Sequence, residues 1–324
     1  MRPRIVMLLA FVIAAVAVGF TGARFTYLPS TPPAIHRSLP AAPGSYLGVF
    51  EDGSPPSYGP IDQFAHAAGK EPNLILFYSG WAQPFPVSMA DSMHRHGLVP
   101  FVQIDPTLAS VSAIASGSYD NYLRQYADSV HDYGHAVVIG FGQEMNATWY
   151  SWGYTHTSPA TFVAAWRHIV TLFRQQGDDN VTWLWTIQAN QPGTGPILSW
   201  WPGASYVTWV GIDGYYNQPS DSFNSVFVPT IDQVRNFTAK PILLSETAVA
   251  RHADQYANIL NLFNGITQYR TLGLVWFDKD QTQQAVPRGD PADARQDWRL
   301  EDNSQAEQAF RLGVAGLTLA STRS

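Results

Sequence analysis

Two stretches of the sequence end an apolar run with a glutamate. Residues 136–152 read AVVIGFGQEMNATWYSW, which leaves its apolar part at Phe141 and delivers Gln143, Glu144 and Asn146, then Trp149, Tyr150 and Trp152. Residues 240–250 read KPILLSETAVA and deliver Ser245, Glu246 and Thr247. A carboxylate at the end of a buried strand is costly unless it is paired or used. Two carboxyls gripping one acetal oxygen are what glycoside cleavage requires: one protonates the leaving oxygen, and the other attacks the anomeric carbon or activates water. A gap of roughly 5–5.5 Å between them gives a covalent intermediate and retention of configuration, and a wider gap gives inversion. The pair must also differ in protonation. Glu144 has to hold a proton near neutral pH, helped by burial and a neighbouring charge, while hydrogen bonds to ionised Glu246 keep it charged.

The elements that must carry these residues follow from the hydrophobic pattern. Eight short runs, most of them apolar on both faces, read as parallel strands covered by helices. They are Tyr46–Phe50, Leu74–Tyr78, Leu98–Ile104, Ala136–Phe141, Val181–Ile187, Val207–Ile212, Pro241–Leu244 and Leu272–Phe277. Amphipathic stretches separate them, most clearly Asp120–Tyr133, Ser158–Gln176 and Ala253–Tyr269, with Asp302–Ala315 closing the series. Ser158-Pro159 supplies an N-cap and a first-turn proline. The expected fold is α/β, a single (β/α)8 TIM barrel over residues 45–317, whose strand ends form the active face. A doubly wound sheet would carry a glycine-rich phosphate loop after its first strand, and EDGSPPSYG is not one. Strands four and seven face each other across a barrel mouth, so Glu144 and Glu246 are expected to converge. Strand six adds Asp213, Tyr215 and Tyr216; strand eight adds Trp276, Asp278 and Asp280.

Outside the barrel, MRPR followed by a 16-residue apolar run and small residues to Ala23 reads as a signal peptide or N-terminal anchor, residues 1–23. Residues 24–44, rich in proline, read as a linker, and 318–324 as a frayed tail. The chain is therefore expected outside the cytoplasm, secreted or tethered to the outer face of the membrane. It has no cysteine, so disulfide and thiol chemistry are excluded. Removing Arg2 and Arg4 from the 19 basic residues leaves 17 against 25 acidic ones, a net charge of −8. That disfavours nucleic acids and other polyanions and favours a neutral ligand. The 11 Trp, 15 Tyr and 17 Phe suit a core and also cleft walls on which sugar rings stack. Trp81, Trp200 and Trp201 lie where they could build subsites or anchor loops. His94 and His96 have an H-x-H spacing late in a helix and read as solvent-exposed; no metal or cofactor is needed by two-carboxylate chemistry.

GQEMNATWYSWG resembles the acid/base segment of glycoside hydrolase family 26, usually HEMNG followed by W-Y/F and a further W-G. WPGASYVTWVGIDGYY is similar to the family's strand-six stretch and KPILLSETA to its nucleophile strand. The resemblance runs over roughly residues 45–290 with the motifs in order. It implies an endo-acting, retaining hydrolase of a neutral β-linked polysaccharide, with Glu144 as acid/base and Glu246 as nucleophile. Tyr215 would hydrogen-bond the nucleophile, Trp276 would floor the sugar, and Trp149 and Trp152 would shape the cleft. Gln143, Asn146 and Trp81 complete the expected substrate contacts. A monomer is expected. β-1,4-Mannan is the first expected substrate, then mixed-linkage β-glucan and β-1,3-xylan. Gln143 replaces the family's histidine, and strand three ends VQIDP where the mannanases tend to carry Trp-His, which weighs against mannan. A non-catalytic carbohydrate-binding barrel is the reading of a different class.

Overall fold

A computed structural model describes residues 39–282 and 296–322 of the chain. The expected signal or anchor at 1–23 and most of the linker lie outside the described residues. Eight parallel strands close into a barrel in sequence order: β1 Tyr46–Glu51, β2 Leu74–Gly80, β3 Val99–Asp105, β4 Val137–Phe141, β5 Val181–Gln188, β6 Trp209–Asp213, β7 Ile242–Thr247 and β8 Gly273–Asp278. This is the (β/α)8 architecture expected of the alternating pattern. Helices α1 Gly59–Ala68, α2 Val87–Arg95, α3 Val111–Ala115, α4 Asp120–Tyr133, α5 Pro159–Gln175, α6 Phe223–Val226, α7 Val228–Arg235, α8 Gln255–Gln268 and α9 Ser304–Val314 cover the outside. The link from β5 to β6 holds no α-helix, only two 3₁₀ turns at Leu198–Trp200 and Ala204–Tyr206. α5 begins where the sequence signals it: the Ser158 hydroxyl accepts from the Thr161 amide, and Pro159 occupies the first turn.

The barrel interior is layered. Its lower part is an apolar plug of Tyr46, Leu74, Leu76, Val99, Phe101, Val138, Leu184, Trp209, Leu243 and Val275. Above it the inward positions turn polar. Gln103 donates from Nε2 to Thr186 Oγ1 at 2.9 Å, and Ser245 Oγ donates to Asp213 Oδ1 at 2.5 Å. Two strand glycines make room for this layer. A Cβ on Gly140 would stand 1.9 Å from Gln103 Oε1, and one on Gly211 would stand 2.5 Å from Ser245 Oγ.

The two ends of the packed body differ from the sequence expectation. Leu39 packs against the apolar plug, and the Tyr46 hydroxyl donates to the Pro40 carbonyl at 2.7 Å, so ordered packing reaches six residues into the predicted linker. Residues 318–322 are not frayed. The Ala320 amide donates to the Ser45 carbonyl, Asn73 Nδ2 donates to the Ala320 carbonyl, and Thr322 Oγ1 donates to the Gly97 carbonyl at 2.7 Å. Those bonds satisfy backbone groups across the barrel floor, which the tail's small polar composition does not announce.

Gly140→Ala tests the polar layer. Overpacking a filled site costs about 1–3 kcal/mol, or roughly 2–4 °C in Tm per kcal/mol in a domain of this size. A thermal melt showing no loss would mean that Gln103 is free to move aside.

Candidate active site

At the C-terminal face of the barrel lies a cleft of about 320 Å³. Glu144, Glu246 and Asp105 contribute carboxyls to its lining, and Phe50, Tyr78, Trp149, Tyr150, Tyr215, Phe277 and Trp298 contribute rings. Side-chain amides of Gln143, Gln188, Gln191, Asn217 and Gln281 fill much of the rest. Polar groups set among aromatic faces are the makeup of a small-molecule site.

Glu144 sits in a tight turn that follows β4. Gly142 has φ 55° and Glu144 itself φ 53°, a left-handed conformation that a side-chain-bearing residue adopts only under constraint. The constraint is visible in its hydrogen bonds. The Glu144 amide donates to the Thr186 carbonyl at 3.0 Å, and its carbonyl accepts from the Ala147 amide at 2.8 Å. The side chain is clamped as well: Trp149 Nε1 donates to Glu144 Oε2 at 2.6 Å. Trp152 Nε1 donates to the Gln143 carbonyl at 2.8 Å, pinning the turn from behind.

Glu246 comes from β7 and is held by two phenols. Tyr78 donates to Oε1 at 2.5 Å and Tyr215 to Oε2 at 2.8 Å. Burial pushes the Glu246 carboxyl up to about 7; the two hydroxyls oppose that rise and the charge of Asp105 adds to it. Both phenols are themselves raised well above the ordinary tyrosine range, chiefly by burial and then by the Glu246 charge, so they remain neutral donors. Beneath the pair lies Asp213, fully buried and raised well above the usual carboxylate range by burial and by the charges of Glu246 and Glu144. It accepts from Ser245 and has no place in the cleft lining.

Of the residues expected to contact substrate, Gln143, Trp149 and Tyr215 line the cleft together with both glutamates. Four others do not, each for a physical reason. Trp276 is fully buried on the outer face of β8, edge-on to Phe310 of α9, with Nε1 donating to Asp278 Oδ1 and to the Trp298 carbonyl. Strand alternation turns its neighbour Phe277 to the cleft instead. Trp152 is buried and stacks on Tyr150 at 4.4 Å, so Tyr150 carries the ring surface that faces the cleft. Asn146 spends its side chain on backbone, with Nδ2 donating to the Gln188 carbonyl and Oδ1 accepting from the Gln188 amide, each at 2.9 Å. Trp81 is a core residue among Tyr119, Tyr122 and Phe141. Trp200 and Trp201 likewise pack against Phe162 and against Trp185 with Phe237.

The histidines of the H-x-H spacing part company: His94, half-buried, stacks on His135, and His96, exposed, stacks on Tyr58. Among the described residues, Glu51, Asp278 and Glu301 bring one carboxylate oxygen each within 4.8 Å of one another. Of this trio, Asp278 has its Oδ1 committed to Trp276 Nε1 and the Leu300 amide. Sequence reasoning missed Tyr78, Phe277 and Trp298. Tyr78 and Phe277 are the last and inward-facing residues of predicted strands, and that position was their only signal.

A closed (β/α)8 barrel with glutamates at the ends of its fourth and seventh strands defines the class of protein. A model of glycosyl hydrolase family 26 matches residues 102–300. The chain belongs to glycosyl hydrolase family 26. It is similar to Endoglucanase H of Acetivibrio thermocellus, 27% identical over 279 residues, which is 81% of this chain and 29% of that protein. It also resembles a beta-1,3-xylanase of Vibrio sp., 23% identical over 205 residues, 59% of this chain and 43% of that one. The chain thus spans less than half the length of either relative. Among solved structures, a GH26 β-mannanase from Bacteroides ovatus shares the fold with a TM-score of 0.60 at 15% identity, over 87% of this chain and 91% of that one. A Bacillus subtilis mannanase does so with a TM-score of 0.57 at 20% identity, over 74% and 82%.

Removing a phenol from Glu246 should raise its pKa further, because the lost hydrogen bond favoured the ionised form. In Tyr78→Phe the acid limb of kcat/KM should move to higher pH, with loss of rate greatest below pH 7. An acid limb unchanged from the parent would show that the 2.5 Å contact does not tune the carboxyl.

Proposed function

We propose that the protein is a retaining endo-β-glycanase that cleaves a neutral β-linked polysaccharide, with Glu246 as nucleophile and Glu144 as acid/base. The observation that carries this is two carboxyls in one cleft with different kinds of donor. Glu246 takes a neutral phenol on each oxygen, which steadies an ionised group against burial. Glu144 accepts from an indole N–H and sits on a strained turn. Two carboxyls with different environments divide acid and nucleophile between them. In the proposed cycle, Glu144 gives its proton to the leaving oxygen as Glu246 attacks the anomeric carbon. The covalent ester neutralises Glu246, and Glu144, now ionised, takes a proton from the water that releases the sugar.

One relative, 27% identical over 81% of the chain, is named an endoglucanase. Together with Gln143 and Asp105 on the cleft wall, this leads us to place β-glucan before mannan in the order of substrates to test, reversing the order drawn from the sequence, with β-1,3-xylan third. We further propose that the chain acts outside the cytoplasm, on the strength of the basic-then-apolar residues 1–23. N-terminal sequencing of the expressed protein tests whether that segment is cut.

Glu246→Ala should abolish hydrolysis of barley β-glucan and mannan, and added azide should restore turnover of aryl glycosides as a glycosyl azide of inverted configuration. Near-normal hydrolysis by that variant would remove Glu246 from the nucleophile role. Glu144→Gln should lose about 10²–10⁴ in rate on substrates with poor leaving groups and far less on activated aryl glycosides. Equal losses on both would contradict the acid role.

A further inference from the structure

The cleft holds a third carboxyl that the double-displacement cycle does not use. Asp105 ends β3, is partly exposed, and lines the cleft with Glu144 and Glu246. It lies close enough to Glu246 for its charge to act on that carboxyl. Gln143, from the same turn as Glu144, lies beside it on the cleft wall and favours its ionised form. Yet the pair is short of donors: Asp105 Oδ1 and Gln143 Oε1 are both sealed from solvent with no hydrogen-bond partner among the described residues. A missing donor on a buried acceptor costs about 1–3 kcal/mol, and native proteins keep few such atoms. Burial pushes the Asp105 carboxyl up to about 6, with Gln143 opposing, so it is an acceptor at neutral pH.

Resting on the glycanase reading above, we propose that Asp105, oriented by Gln143, is a specificity-determining residue that accepts a hydrogen bond from a hydroxyl of the sugar ring under attack by Glu246. Three things fit. The ligand class is rich in hydroxyl donors, and Asp105 is an acceptor on the wall of the cleft. Asp105 is partly exposed on the cleft wall, so a carboxylate oxygen there can meet a hydroxyl. A site built to hydrogen-bond a hydroxyl also rejects the analogue lacking it far more strongly than an apolar pocket rejects a size change, because its buried polar groups are then left unpaired. Asp105 thus selects among sugars by where they carry a hydroxyl, while the two glutamates perform the bond exchange on any ring that is held.

The test is a double-mutant cycle between protein and substrate. Aryl β-glycosides of cellotriose and mannotriose, and their monodeoxy analogues in the ring bearing the aryl group, are assayed with the parent protein, Asp105→Ala and Asp105→Asn. The parent should lose roughly tenfold to hundredfold in kcat/KM when one particular hydroxyl is removed, the worth of a hydrogen bond to a charged group. Asp105→Ala should lose little from that same removal, Asp105→Asn, which keeps a neutral acceptor, should lose an intermediate factor, and both should match the parent's folding by near-ultraviolet circular dichroism. If every monodeoxy analogue costs the variants the same factor as the parent, Asp105 contacts no hydroxyl and the proposal is overturned. The same cycle is run on the Kd for cellotetraose, mannotetraose and their monodeoxy analogues. A parent protein that cleaves nothing yet shows Asp105-dependent discrimination in binding would end the hydrolase reading and uphold this one. Normal cleavage without such discrimination would do the reverse.

Discussion

The structure depends on keeping a buried carboxylate charged at the rim of an apolar barrel. Leaving water costs an isolated carboxylate more than a domain can supply, so Glu246 exists there only because donors surround it. Those donors come from separate strands: Tyr78 from the end of β2 and Tyr215 from the segment after β6. Each phenol is buried and remains neutral, which lets it donate without adding charge. The requirement reaches downward as well. Asp213 beneath is pushed toward the neutral acid by burial and by the charges of Glu246 and Glu144, and it accepts from Ser245. The polar layer of Gln103, Thr186, Ser245 and Asp213 thus separates an ordinary hydrocarbon core from a site that must hold charge, and the glycines at 140 and 211 are the volume it needs.

Strain at Glu144 belongs to the same arrangement. A strand continuing past Phe141 would carry residue 144 along the barrel wall. The turn at Gly142–Glu144 instead folds the chain back over the mouth, and the left-handed backbone at Glu144 is stabilised by Thr186, Ala147 and the indoles of Trp149 and Trp152. Asn146 extends the clamp to β5 through the two backbone groups of Gln188. The aromatic motif after the glutamate therefore divides its labour. Trp149 touches the carboxyl, Tyr150 faces the cleft, and Trp152 fixes the turn.

Most of the fold was legible because most of the eight strands read as apolar on both faces and the helices are amphipathic, and those two periods are hard to confuse over such lengths. The carboxyl pair was legible because burial at the end of an apolar strand is tolerable for a glutamate only where it is paired or put to use. What alternation alone could not tell was which of two adjacent residues faces the cleft. The family resemblance points to Trp276, whereas β8 turns Phe277 inward and buries Trp276 against Phe310. Strand β7 shows why counting fails. Ser245 points inward to Asp213, so strict alternation would turn Glu246 away, yet the β6–β7 and β7–β8 pairings both shift register there and Glu246 reaches the cleft. Such a shift is a tertiary property, set by what the neighbouring strands accommodate. Tyr78 escaped notice for a related reason: a tyrosine at a strand end looks like core until the partner carboxyl is placed beside it.

The charge pattern of the cleft bears on what can enter it. Its lining carries three carboxyls and, among the described residues, one cation, Lys279, whose Nζ is 3.1 Å from Asp52 Oδ1 and lies over the Phe50 ring at 5.6 Å. An acidic polymer would meet repulsion from the carboxyls and a lysine already paired. Much of the remaining polar surface is neutral amide, which both donates and accepts, as a sugar hydroxyl does. Phe50 stacks on Phe277 at 4.6 Å and Tyr215 on Trp298 at 4.7 Å, so the ring surfaces are held in place before any ligand arrives. Amides and fixed rings around a negative centre favour an uncharged polyol over an anion. The same negative centre is what stabilises the positive charge that develops on the ring when a glycosidic bond breaks, so one electrostatic arrangement selects the ligand and suits the chemistry.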